Sequence, residues 1–437
     1  MKDVRLKKLF KYVLPAVLGQ VCFFIFTIAD GIFVGNGVGE NGLGAVNIVL
    51  PFIMVVYALF MLISVGGVTI TAIRFGRGDK DGANSAFVSS FWAITLIGAI
   101  LTLIGAGFSK PMGYMLGANE TYIQYVSDYL IGYSAFIIPS SWAILFQFFG
   151  RNDGSPELAM KATIISSGIN IFLDWLFVFP LAMEVKGAAI ATGISQTISF
   201  LIMLKHFAGK KGDLRFGRFK WDGELMKKIF IRGVPEAVSQ FSVSVSTICM
   251  NYVVLEMIGE IGINSYSVIA YVASFSVAVF AGVAEGMQPV VGQSYGEKND
   301  NDLKFYFRKS VIISFVGSLA VCVAIVVFGR AICTMFGIDA ETLEFTLKAM
   351  PKYSLGFLVM SVTTVMSAYL YSTKRTKEAL ILNVLRGIVL NSAIIFLFPR
   401  IFGTEIVWYT FVIYEALGLL TGMLLIRSSE KNGIVYK

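Results

Sequence analysis

Asp30, Asn170, Asp174 and Thr192 bring two carboxylates, an amide and a hydroxyl into otherwise apolar runs of the chain. An oxygen-only set of this kind suits a hard cation such as Na⁺, and two close carboxyls can equally hold a proton between them. A carboxylate at membrane depth costs on the order of 3 kcal/mol unless it is paired or hydrated, so one that is kept there is a candidate for function. Asn170 and Asp174 stand four apart, on one face of a helix, and Thr192 follows on the next apolar run after a short hairpin. With a rise of about 1.5 Å per residue, Asp30, Asp174 and Thr192 lie roughly 6, 10 and 8 Å from the outer ends of their runs, at similar depth. The plainer alternative is that the two aspartates pair with hydroxyls or cap distorted turns.

Glu285 is the third acidic residue that stands out, deep in the run Gly282-Val283-Ala284-Glu285-Gly286-Met287-Gln288-Pro289. There it could neutralise a cationic substrate, with Met287 and Gln288 as neighbouring candidate contacts; the structural alternative is a partner for Arg386, or a helix opened at Pro289. Asp128, Glu236 and Glu415 lie nearer helix ends or have fewer companions and read as structural. Pro15 and Pro235 each remove a backbone donor early in an apolar run and so mark bends, Pro15 on the run that carries Asp30.

The elements that must position these groups are membrane helices. Of the 437 residues 56% are hydrophobic and only 15% charged, and the mean hydropathy is +0.74, so the bilayer is the solvent. Apolar spans fall near 12–34, 43–72, 85–107, 122–148, 159–181, 187–206, 229–255, 263–291, 309–329, 345–372, 379–399 and 406–426, twelve in all. With a cytoplasmic N-terminus, the alternate loops and both tails hold 29 of the 36 Lys and Arg, among them Arg74, Arg77, Lys80, Lys210, Lys211, Arg215, Lys374 and Arg375. The net charge of +8 is therefore a topology signal with both termini inside, and not a nucleic-acid footprint. Four dispersed cysteines without a CxxC pair and a single histidine, His206, give no support to a disulfide framework, a zinc site or a catalytic triad.

Shifting the chain by 220 residues aligns Pro15 with Pro235, Gln20 with Gln240, Gly39 and Glu40 with Gly259 and Glu260, Gly66 with Gly286, Gly117 with Gly337 and Tyr133-Ser134 with Tyr353-Ser354. One ungapped register over about 120 residues is the mark of an internal duplication. Six spans per repeat give both halves the same orientation, with a pseudo-twofold axis along the membrane normal. The repeat divides the chain into an N-terminal lobe, 1–208, a cytoplasmic linker, 209–228, and a C-terminal lobe, 229–437, with a substrate route expected between the halves and alternating access by rocking them. Under the offset Asp30 falls on Met250, Asp174 falls in the apolar run Ala393 to Phe396, and Glu285 falls on Val65, so duplication alone does not require these acids.

The runs Gln288-Pro289-Val290-Val291-Gly292-Gln293-Ser294-Tyr295-Gly296, Asp30-Gly31-Ile32-Phe33-Val34-Gly35 and Gly187-Ala188-Ala189-Ile190-Ala191-Thr192 together resemble the multidrug and toxic compound extrusion (MATE) family. The resemblance spans the chain and is to the bacterial branches with their ion site in the N-terminal lobe. It implies an all-α integral membrane protein of twelve helices in two homologous six-helix bundles, monomeric, in the inner membrane. It implies coupling to Na⁺ or H⁺ at Asp30, Asn170, Asp174 and Thr192, with Pro15 as the bend of the first helix. Other members carry an acidic residue in the tenth helix, and Leu355 to Tyr371 contains none.

The expected function is export of lipophilic organic cations in exchange for Na⁺ or H⁺, with no cofactor beyond the coupling ion and no nucleic acid partner. A flippase for a lipid-linked oligosaccharide shares the two-lobe architecture but needs basic cavities for a pyrophosphate, whereas the charges inside these spans are mainly acidic. A narrow-substrate metabolite exporter is a further alternative. A membrane-embedded enzyme using Asp30 and Asp174 has the internal duplication and the lack of a nucleophile constellation against it.

Overall fold

The bilayer leaves no water for backbone amides, so apolar runs of this length close their hydrogen bonds internally as helices. In the computed structural model the described residues are 2–38, 40–209, 211–217, 220–336 and 339–431; Gly39, Lys210 and Gly337 lie outside them. The helices are α1 Lys2–Val38, α2 Glu40–Gly76, α3 Lys80–Gly107, α4 Ser109–Met115, α5 Ile123–Ser134, α6 Ile137–Asn152, α7 Pro156–Val178, α8 Glu184–Ala208, α9 Gly223–Met257, α10 Glu260–Gly296, α11 Asp300–Thr334, α12 Ala340–Ser372, α13 Thr376–Val384, α14 Asn391–Phe402 and α15 Thr410–Lys431. Among the described residues 11 helices are long and apolar enough to cross a membrane, and α5 with α6, bent by 51°, makes a twelfth span. The protein is thus an all-helical, multi-pass membrane protein. Pro15, Pro235 and Pro289 all lie inside continuous helices, so Pro289 does not open α10.

Helix starts repeat at the same offset of 220. Asp79 caps α3 by accepting from the Gly82 amide at 2.8 Å, and Asn299 caps α11 by accepting from the Asp302 amide at 3.1 Å. Asn119 accepts from the amides of Thr121 and Tyr122, as Asp339 does from those of Glu341 and Thr342. Asn and Asp exchange freely because either supplies the oxygen that a free helix amide needs. The Thr342 amide, with the Thr342 hydroxyl, holds the Asp339 carboxyl below the usual carboxylate range.

The chain forms two compact units, Leu18–Glu236 and Met1–Val17 with Ala237–Lys437. The division falls inside α1 and α9, just past Pro15 and Pro235, and not in the linker. Within the first unit a Cβ on Gly66 of α2 would collide with the Ile229 carbonyl of α9; within the second, a Cβ on Gly286 of α10 would lie 2.5 Å from the Val13 Cα of α1. These matched glycines let helix backbones touch.

The described start of the linker belongs to the first unit. There Nε2 of His206 donates to Asp153 Oδ2 at 2.9 Å, and the Ser155 hydroxyl is hydrogen-bonded to His206 Nδ1 at 3.1 Å. An ionised carboxylate only accepts, so Nε2 of the ring carries the proton of this bond. Asp153 Oδ1 also accepts from the Asp213 amide at 2.8 Å. The Ser-His-Asp line is therefore a clasp: the His206 and Asp153 side chains are 1% and 3% exposed, and the carboxylate is committed to linker amides.

In the second unit Arg386 Nη1 lies 3.5 Å from Glu415 Oε2. The Thr363 hydroxyl donates to the same oxygen at 2.7 Å and accepts from Arg386. Arg386 sits in a π-helical turn, Leu385–Leu390, between α13 and α14, where the Asn391 side chain donates to the Gly387 carbonyl in a turn too wide for regular pairing. Replacing Arg386 by Met strands Glu415 and is expected to destabilise the protein by about 3–5 kcal/mol, while Arg386→Met with Glu415→Leu recovers most of the loss. Thermal unfolding of the three variants in detergent checks this; a double variant no better than the singles contradicts it.

Candidate functional site

α7 supplies Asn170 and Asp174 from one face, both 0% exposed. Pro156 suits the first turn of α7, and the small side chains of Ser166 and Ser167, both buried, allow the helix to pack closely with its neighbours. α8 brings Thr192, whose hydroxyl accepts from Asn170 Nδ2 at 3.3 Å. α1 brings Asp30, and its carboxyl meets that of Asp174 within hydrogen-bonding range. The structure therefore gathers Asp30, Asn170, Asp174 and Thr192 in the unit Leu18–Glu236.

The hydrogen bonds in this cluster are incomplete in one direction. Asp30 Oδ1, Asn170 Oδ1 and both oxygens of Asp174 are buried without a donor. With its Nδ2 spent on Thr192, Asn170 has only its oxygen left to offer. Two ionised carboxylates cannot donate to one another, so among the described residues the site collects acceptors and lacks a positive or donating partner. A buried acceptor set of this kind is completed by a proton on one carboxyl or by a hard monovalent cation among the oxygens. Among the described residues no group of three or more His, Cys, Asp or Glu side chains gathers in metal-binding geometry.

One neighbour was missed from the sequence. Tyr129 of α5 lies in electrostatic range of both Asp30 and Asp174 and stacks on Tyr133 at a centroid separation of 6.4 Å. The four-residue spacing of the two tyrosines was visible, but an aromatic pair on an apolar helix is far more often core packing.

The second group of candidates lies elsewhere, in α10. Glu285 is 7% exposed, Gln288 5% and Met287 0%. Gln288 Nε2 donates to the Tyr371 hydroxyl at 2.9 Å, and its Oε1 is buried without a donor. Arg386, the structural partner considered for Glu285, is instead held by Glu415. Pro15 is on α1, fifteen residues before Asp30 in the sequence and shortly before the chain passes from one compact unit to the other at Leu18.

A family model described as MatE matches residues 15–176 and again residues 235–397. The chain belongs to the MatE family. The two matches begin at Pro15 and Pro235, 220 residues apart, in the register of the internal repeat. MatE membership is accompanied by full-length likeness to the multidrug export protein MepA of Staphylococcus haemolyticus, 27% identical over 99% of this chain and 95% of that protein, and to MepA of Staphylococcus aureus, 26% identical over 96% and 93%. Among solved structures, an outward-facing multidrug resistance MATE family transporter of the MOP superfamily matches with a TM-score of 0.90 at 24% identity, covering 97% of this chain and 96% of that one. A MOP superfamily transporter from Pyrococcus furiosus, described as having a binding pocket of reversed polarity that suggests a different function, matches with a TM-score of 0.91 at 24% identity over 97% and 96%. These likenesses show the fold, two six-helix halves.

Replacing Thr192 by the isosteric Val leaves Asn170 Nδ2 without its acceptor and is expected to destabilise the protein by about 1 kcal/mol, while Thr192→Ser stays near wild type. Thermal unfolding in detergent measures both; equal effects of Val and Ser would contradict the hydrogen bond.

Proposed function

We propose that this chain is a secondary active antiporter that exports lipophilic organic cations in exchange for Na⁺ or H⁺, from a cell membrane in which both its termini are cytoplasmic. The observation that carries the reading is the buried cluster of acceptor oxygens on Asp30, Asn170 and Asp174, left without donors on a MatE scaffold. The names of the MepA relatives support drug export as the transport direction.

In this reading the coupling cation enters between Asp30 on α1 and Asp174 on α7 and cancels their repulsion, so α1 closes onto α7. Departure of the cation restores the repulsion and drives α1 away, with Pro15 as the place where the helix lacks a donor and bends. Asn170 lends an oxygen to the cation, and Thr192 holds that amide in its orientation. Glu285 with Met287 and Gln288 contacts the organic cation in a state that uncovers α10. A ligand changes a conformational equilibrium only by its different affinity for the two states, and the paired carboxyls provide that difference.

A lipid-linked oligosaccharide flippase is the second reading, and a narrow-substrate metabolite exporter the third. The buried ion pair disfavours the flippase: Arg386, the basic group in mid-helix, is neutralised by Glu415 and does not face an anionic substrate as a free charge.

Ethidium efflux from energised cells, with Na⁺ and H⁺ gradients imposed separately, tests the proposal. Wild type is expected to pump, and Asp30→Asn and Asp174→Asn at matched expression to fall to background, with the gradient that drives wild type naming the ion. Pumping by both variants at the wild-type rate would move the coupling away from this cluster. Transport of a lipid-linked precursor without dye transport would favour the flippase.

A further inference from the structure

Within the unit Leu18–Glu236, α1 and α7 meet at a second place beyond the two carboxyls. Asp30, Val34 and Gly37 follow one another at helical spacing on one face of α1, as Asn170, Asp174 and Val178 do on α7. Val34 and Val178 are buried, at 1% and 3% exposure. Toward the C-terminal ends of both helices this seam tightens at a residue with no side chain. A Cβ on Gly37 would lie 2.1 Å from Val178 Cγ1 and 3.3 Å from Phe179 Cε1. Any larger residue on α1 would have to push α7 away.

The turn between α7 and α8 backs this contact. Ala182 and Glu184 have φ of 46° and 53°, in the left-handed region where a side chain costs energy and persists only under the constraint of its surroundings. The Leu181 amide donates to the Leu176 carbonyl at 3.1 Å, and the Met183 amide to the Phe177 carbonyl at 2.8 Å. The turn closed in this way presents the Phe179 ring to α1, edge to face with Phe33 at a centroid separation of 6.0 Å.

Two interactions therefore oppose each other along one seam. When ionised, the carboxyls of Asp30 and Asp174 push α1 and α7 apart, and the other polar groups around them, Asn170, Thr192 and Tyr129, are none of them cationic. At Gly37 the apolar contact draws the same two helices together, and dispersion of this kind is largely lost once a gap of about 1 Å opens.

We infer that Gly37 is a positioning residue whose contact with Val178 and Phe179 sets how tightly the acidic pair binds its cation. The inference rests on the coupling reading proposed above and adds the force that opposes the repulsion. With the helices clamped, both carboxyls stay close enough to share one cation. A wedge at residue 37 moves Asp30 off Asp174, and the cation then feels only part of the second charge.

The test is thermal unfolding of the purified full-length protein in detergent, titrated with NaCl against choline chloride at constant ionic strength and, in parallel, with pH. A cation that binds the folded state stabilises it by mass action, so the midpoint of the titration reports affinity. Asp174→Asn, which lacks the pair, serves as the reference and cancels groups that titrate elsewhere. Gly37→Ala is expected to move the midpoint to about tenfold more cation, or about one pH unit lower for a proton. Val178→Ala loosens the contact from the other helix and is expected to move it about threefold the same way; it keeps Gly37 and decides the question where Gly37→Ala fails to fold. In the double variant the added methyl takes the space of the deleted ones, and its midpoint is expected nearer wild type than that of Gly37→Ala. A merely structural contact would lower the unfolding temperature equally at every cation concentration. That uniform lowering, or a double variant further from wild type than Gly37→Ala, would overturn the inference and leave the coupling reading standing. No difference between wild type and Asp174→Asn with either cation would overturn both.

Discussion

Two carboxyl groups pressed together inside a membrane helix bundle cannot both stay charged unless something positive joins them. That constraint governs the arrangement around Asp30 and Asp174. In water the repulsion of two such charges is weak, but in a low dielectric it grows several-fold, and no donor among the described residues offsets it. α7 holds Asp174 fully buried, the Asn170 bond to Thr192 leaves an amide oxygen unused, and Tyr129 closes the site within electrostatic range. Each choice makes the cluster more dependent on a cation or a proton. A site built to be stable by itself would have received an arginine or a lysine.

The other half of the molecule contains that alternative. Near the offset of 220 Arg386 falls on the serine pair Ser166-Ser167 of α7, so a stretch that carries hydroxyls in one half carries the arginine of an ion pair in the other. Arg386 and Glu415 neutralise each other, Thr363 satisfies the carboxylate, and Gly418 leaves room for the arginine stem, whose Cγ would be 2.8 Å from a Cβ there. Removing either partner would strand a buried charge, so the two side chains depend on each other. One duplicated scaffold thus holds a closed charge pair in one half and an open acidic pair in the other, and the open one is the coupling site proposed here.

Much of this was legible in the sequence because the bilayer restricts the options. Apolar runs of span length have to be helices, and the register of 220 set by Pro15 and Pro235 carries through to the caps at Asp79, Asn119, Asn299 and Asp339. Asn170 and Asp174 could be placed on one helix face from their spacing alone, and Thr192 followed from the hairpin. Features that depend on side-chain meetings across helices were not legible. Glu415 looked like an ordinary helix-end acid because its partner is 29 residues away, across a π-turn that hydropathy does not mark. The clasp of His206 on Asp153 joins residues 53 apart, and Tyr129 was one aromatic among many. The units divide inside α1 and α9 because matched glycines bring backbones together there, a packing effect that composition cannot reveal.

Equilibrium exchange of labelled ethidium across proteoliposomes, set beside accumulation driven by an imposed cation gradient, tests most directly whether the acidic pair couples transport. In Asp174→Asn the account predicts that exchange persists, since the substrate path is intact, while gradient-driven accumulation falls to background. Loss of both to the same degree would show that the pair maintains the fold or the substrate site, and would contradict the assignment of coupling to Asp30 and Asp174.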